Sequence, residues 1–288
     1  MTEFSDIWYH SADNLRLYAR DYACRDNAVK NPHTVLCMHG LTRNSADFAG
    51  LAAHLCQRYR LLVVDQRGRG RSDYDPVSAN YTVLTYVQDM FTLLDQLGLE
   101  RIITVGTSMG GLMSFLMAAM QSARIRAMVI NDVGPELDPR GLARIVAYVG
   151  KLPPVADWDQ AVAQCREVNA GVFPDFSDRQ WLDFARGIYV ERDGVPVLAH
   201  DPAIAEPMGD DGASAVPPDL WPVFRGIAEI PMLVVRGEAS DILSRACVER
   251  MRAIKPDLQS VTVPRRGHAP LLTEPAALQA IDTFLDQF

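Results

Sequence analysis

Ser108 stands in Gly106-Thr107-Ser108-Met109-Gly110, directly after the apolar run Arg101–Val105 and before an apolar stretch of helical character. A serine hydroxyl attacks carbonyl carbon only when the backbone presents it openly beside a base. The pattern G-x-S-x-G on a strand-to-helix turn meets the first condition, because small flanking residues allow the tight fold that exposes the hydroxyl. In that geometry the Met109 N–H faces the reacting centre. A second such donor is expected from the Leu41 N–H, since His39-Gly40-Leu41-Thr42 closes an earlier strand and Gly40 lets the loop approach Ser108. Two aligned donors stabilise a developing oxyanion, and removing one typically costs about 3–4 kcal/mol. The base is expected at His268, in Gly267-His268-Ala269-Pro270, the only histidine on a loop after a late core strand. Two carboxylates at strand ends could orient it: Asp132 after Arg126–Asn131, and Asp241 after Pro231–Arg236.

These residues need a scaffold that brings several strand ends together. Short apolar runs (Thr34–His39, Arg60–Asp65, Arg101–Gly106, Arg126–Asn131) alternate with amphipathic stretches such as Ser45–Leu55 and Tyr81–Leu97. That alternation predicts a parallel sheet covered by helices on both faces. Ile7–His10 and Leu15–Ala23 add an antiparallel hairpin at one edge. Between 134 and 226 the pattern breaks into a proline-rich segment with helical candidates at Arg140–Val149, Trp158–Val168 and Asp178–Arg186. The alternation then resumes through Pro231–Arg236, Ser244–Ile254, Ser260–Val263 and a last helix over Ala276–Phe288. The expected division is a core of residues 1–133 and 227–288, interrupted by a helical cap at 134–226. Its pocket lies between Ser108 and the cap, with Trp181, Phe184 and Tyr189 as candidate walls and Arg43 as a candidate partner for a substrate carboxylate.

Composition narrows the functional classes. The 288 residues are 48% hydrophobic and 22% charged, as in a globular domain. A net charge of −8, without a basic stripe, argues against a nucleic-acid partner. No apolar run is long enough to span a bilayer, and the first residues have neither the basic nor the apolar region of a signal peptide, so a cytoplasmic setting without a membrane partner is expected. The five scattered cysteines form no C-x-x-C pair, which excludes a zinc knuckle or disulfide framework as the organising principle.

In combination, HG after a strand, DQRGRGRSD, GTSMGG, NDVGP, RGEASD and RGHAP resemble the ordered motifs of α/β-hydrolase fold enzymes over about residues 33–133 and 230–288. The resemblance implies a mostly parallel eight-stranded sheet with helices on both faces. It also implies Ser108 as nucleophile, His268 as base, Leu41 and Met109 amides as the oxyanion hole, and residues 134–226 as the lid. Ser108 separates the chain from the dehalogenases and epoxide hydrolases of this fold, which carry aspartate at that point. The usual acid position after RGEAS falls on Ser240, with Asp241 one residue late, so Asp132 is favoured as the acid and Asp241 is the alternative. The resemblance implies a cofactor-free serine hydrolase, a monomer or homodimer, acting on an ester, lactone or amide-type acyl bond of a small molecule. Subgroup features point towards hydrolases of ring-cleavage products and carboxylated substrates. The rival readings are a C–C bond hydrolase, lyase or cofactor-independent oxygenase at the same site, and a ligand-binding receptor.

Overall fold

A computed structural model of the chain describes residues 2–208 and 219–288. The N-terminal hairpin pairs β1 (Ser5–His10) with β2 (Arg16–Tyr22), and β2 runs antiparallel to β4 (Arg60–Asp65). From β4 onward every pairing is parallel: β4 with β3 (Thr34–Met38), then β5 (Ile102–Thr107), β6 (Ile125–Asn131), β9 (Met232–Gly237) and β10 (Gln259–Val263). The resulting eight-stranded order is β1-β2-β4-β3-β5-β6-β9-β10. The remaining strands, β7 (Tyr189–Arg192) and β8 (Val195–Leu198), form a separate antiparallel pair within the insertion.

Period-two alternation explains how near-continuous apolar strands serve two faces. Leu36, Met38, Leu62, Val64, Met128 and Ile130 join one core cluster. Their neighbours Val35, Cys37, Leu61, Val63, Ala127 and Val129 join the cluster on the other side. The second face is covered by α1 (Ala49–Leu55) and, after the last strand, α9 (Pro275–Leu285). The first face receives α2 (Val83–Gln96), α3 (Met109–Met120) and α8 (Arg245–Ile254). Thr82 caps α2 by accepting the Thr85 N–H, which sets its start two residues later than the sequence pattern alone.

Within the insertion, α4 (Pro139–Tyr148), α5 (Trp158–Asn169) and α6 (Asp178–Ile188) precede the β7–β8 hairpin. Phe173, Phe176, Trp181 and Phe184 form an aromatic cluster there, with ring centroids as close as 4.3 Å. Residues 209–218 of the expected cap lie outside the described residues. Beyond them, α7 (Trp221–Gly226) packs on α3: Trp221 and Phe224 share the large core cluster with Phe115. The segment expected to belong wholly to the cap therefore ends in an element of the main core.

Candidate active site

Four strand ends converge at one edge of the sheet. At the end of β5, Ser108 adopts φ 53° and ψ −114°, with its N–H donating to the Asn131 carbonyl at 2.9 Å. A non-glycine residue in such a conformation carries roughly 1–3 kcal/mol of strain and persists only where its surroundings impose it. Close packing imposes it here. A side chain at Gly106 would sit 2.1 Å from the Gly110 carbonyl oxygen, and one at Gly110 would sit 2.0 Å from that of Met38. The helix α3 begins at Met109, so the Met109 N–H has no acceptor within the helix.

His268 lies on the loop between β10 and α9. Its Nε2 is 2.8 Å from Ser108 Oγ, and its Nδ1 is 2.9 Å from Asp132 Oδ2. Asp132 is fully buried at the end of β6 with φ 57°, a conformation aspartate tolerates better than most residues. Its backbone N–H donates to the Val235 carbonyl, and its Oδ1 accepts the Gly237 N–H at 2.7 Å. The carboxylate is thus fixed from two sides, leaving Oδ2 to hold a proton on His268 Nδ1. That tautomer frees Nε2 to accept the serine proton. Asn131 steadies the same loop, donating through Nδ2 to the Pro270 carbonyl at 2.8 Å and to Thr107 Oγ1 at 3.0 Å.

The structure does not bring Asp241 to the histidine. Ser240 Oγ accepts the N–H groups of Ile242 and Leu243, closing the loop after β9 into a turn. Asp241 then faces Arg144 of α4, which donates to both carboxylate oxygens at 2.6 and 2.9 Å. Burial works against its charge, but Arg144 outweighs that and lowers the Asp241 pKa.

Leu41 lines the cavity over Ser108, and its carbonyl accepts from Arg69 Nε at 2.9 Å. Arg69 is wholly buried, donates also to the Arg67 carbonyl and Tyr86 hydroxyl, and so pins the Leu41 loop to the turn after β4. His39 is buried beside it. Its Nδ1 hydrogen-bonds the Gly40 carbonyl at 2.7 Å, while Nε2 accepts the Gln66 N–H at 3.0 Å. Burial lowers its pKa to about 3, so the ring is neutral and holds the loop rather than exchanging protons.

The cavity above Ser108 has a volume of about 120 Å³. Arg43, Phe184 and Tyr189, the candidate wall and carboxylate-pairing residues, line it. The Arg43 guanidinium, however, is committed: Nε donates to Asp47 Oδ2 at 2.8 Å, Nη2 also reaches Asp47, and the group lies 4.3 Å from the Phe184 ring centre. Trp181 is a correction. Its ring packs edge-on to Phe173, Phe176 and Phe184 inside the insertion and does not reach the cavity. Tyr148, Cys165 and His200 line the cavity without having been singled out by sequence. Burial lowers the His200 pKa to about 4 and raises that of the Cys165 thiol to about 11, so both groups are neutral near pH 7. Their only sequence signal was polar character on inserted elements, which does not identify a cavity wall. Among the described residues, no cluster of three or more His, Cys, Asp or Glu side chains is arranged to hold a metal ion, and no helix is long and apolar enough to cross a membrane.

A model of the alpha/beta hydrolase fold family matches residues 33–275. The chain is 36% identical over 261 residues to a 3-hydroxybutyrate-oligomer hydrolase of Cupriavidus necator, covering 88% of each protein. It is 31% identical over 254 residues to a 2-(acetamidomethylene)succinate hydrolase of Mesorhizobium japonicum, covering 88% of this chain and 87% of the relative. A crystal structure of an alpha/beta hydrolase from Novosphingobium aromaticivorans superposes with a TM-score of 0.93 at 42% identity, over the full length of both chains.

Proposed function

The chain belongs to the alpha/beta hydrolase fold family, and on that premise we propose that it is a serine hydrolase cleaving carboxylic esters of small hydroxy acids. One observation carries the reading: Ser108 Oγ, His268 and buried Asp132 form a continuous hydrogen-bonded relay that opens into a cavity. Ser108 Oγ attacks the ester carbonyl as its proton passes to His268 Nε2, and Asp132 stabilises the imidazolium. The N–H groups of Leu41 and Met109 receive the oxyanion. Collapse of the intermediate breaks the C–O bond, and His268 returns the proton to the departing alkoxide. Water, deprotonated by the same histidine, then attacks the acyl-enzyme and releases the acid and Ser108. The sum is ester plus water giving acid plus alcohol, with no further reactant.

The ester class is supported by the name of the Cupriavidus necator relative, and the inserted residues 134–208 are assigned the role of a cap that supplies much of the pocket wall. The test is incubation with 3-hydroxybutyrate dimer and trimer, with chromatographic detection of monomer. Monomer release that disappears in Ser108→Ala supports the assignment. Turnover of p-nitrophenyl acetate without any release from the oligomers would retain the serine hydrolase and overturn the substrate class.

A further inference from the structure

Arg43, Asp47, Phe184 and Leu271 border two spaces at once. On one side they line the cavity over Ser108, and on the other they line a cleft of about 410 Å³, against about 120 Å³ for the cavity itself. Gly187, Arg266 and Glu274 complete much of the second wall. The Arg43 guanidinium lies over the Phe184 ring and donates to Asp47, so side chains rather than a backbone ladder form this part of the partition. Side chains can change rotamer without breaking strand or helix hydrogen bonds.

We propose that the second cleft is the subsite for the distal part of a linear acyl chain, reached when the Arg43–Phe184 wall opens, and that it receives a hydroxyl end. The inference rests on the serine hydrolase reading above and adds which end of the substrate lies where. Charge selects the end. Both guanidiniums at the cleft are already paired, Arg43 with Asp47 and Arg266 with Asp175 and Glu274. Asp183 and Glu274 add two carboxylates to the cleft wall, and the Asp183 side chain is exposed. A chain ending in carboxylate meets no uncommitted cation there, whereas a hydroxyl is a donor that a carboxylate accepts. For an ester of a hydroxy acid, the hydroxyl end belongs to the acyl half, so the leaving alcohol departs by the other side of the cavity.

Two substitutions test the cleft in opposite directions. A Cβ built at Gly187 on α6 would meet only Ala46 Cβ, at 3.8 Å, and Gly187 lines the cleft, so Gly187→Phe adds a ring at the cleft wall from an unobstructed Cβ. Phe184→Ala removes the stacked ring from the partition. The readout is the ratio of kcat/KM for p-nitrophenyl 10-hydroxydecanoate to that for p-nitrophenyl acetate, which share one leaving group. The ratio is expected to fall at least ten-fold in Gly187→Phe and to rise several-fold in Phe184→Ala. An unchanged ratio in both variants, with acetate still hydrolysed, overturns the subsite and leaves the serine hydrolase standing. If the unsubstituted protein hydrolyses neither ester, the hydrolase reading falls, and calorimetric binding of 10-hydroxydecanoate decides the cleft: binding weakened ten-fold by Gly187→Phe supports it, and unaltered or absent binding overturns it.

Discussion

At the scale of single residues, the division of labour between two aspartates depends on which cation each one meets. Both stand just beyond strand ends, but Asp241 is held by Arg144 from the insertion, whereas among the described residues the Asp132 carboxylate bonds only His268 and the Gly237 N–H. Asp132→Asn removes the charge that stabilises the imidazolium and is expected to lower ester turnover by about four orders of magnitude, as such a change does in a protease triad. Asp241→Asn is expected to change turnover no more than a few-fold. Steady-state kinetics on one ester, with thermal melts to check folding, distinguishes the two, and a large loss confined to Asp241→Asn would reverse the assignment. The serine and histidine were legible because their motifs carry backbone requirements with them. The acid was less so: a strand-end carboxylate has no local signature, and the partner of Asp241 lies 97 positions away in sequence. Trp181 was misplaced for a related reason, since an aromatic on an amphipathic helix reads alike whether it faces a ligand or other rings.

At the scale of elements, the core strands and helices followed from alternation of short apolar runs with amphipathic stretches, and their order in sequence matched a parallel sheet. The β7–β8 hairpin was missed. Its strands have four residues each, and only Tyr189 and Pro196 are buried, leaving little apolar periodicity to read. The available signal was Asp193-Gly194, both with positive φ, the preferred pair for a two-residue hairpin turn. This hairpin matters because its exit strand runs into the turn after β4: Gly70 N–H donates to the Ala199 carbonyl, and Asp201 N–H to that of Gly68. Arg69, in the same turn, carries the carbonyl of Leu41. Replacing it by lysine keeps the charge and loses the planar fork that serves several acceptors. Arg69→Lys is therefore expected to lower kcat about ten- to a hundred-fold with KM little changed, because a loosened donor acts on the transition state more than on bound ester. Equal effects on KM and kcat, or a matching loss of the urea midpoint, would make Arg69 a matter of folding alone.

At the scale of the whole molecule, two buried neutral histidines tie stability to pH. His39 and His200 have pKa values lowered by burial to about 3 and about 4, against an ordinary value near 6.5 in the unfolded chain. Below that ordinary value the unfolded state takes up protons that the folded state refuses, so stability falls as pH drops from about 6.5 and levels off only below the folded pKa. His200→Gln removes one such group and is expected to flatten the dependence of unfolding free energy between pH 6.5 and 4; an unaltered slope would mean that His200 is protonated in the folded protein. The central claim is simpler to address, because all the geometry converges on one oxygen atom. A fluorophosphonate probe forms a bond to an activated serine as fluoride leaves, and peptide mass spectrometry locates the adduct. The expected result is a single adduct on the peptide containing Ser108, abolished in Ser108→Ala and strongly slowed in His268→Ala. Labelling at another serine, or undiminished labelling without His268, would contradict the assignment of Ser108 as a nucleophile activated by that histidine.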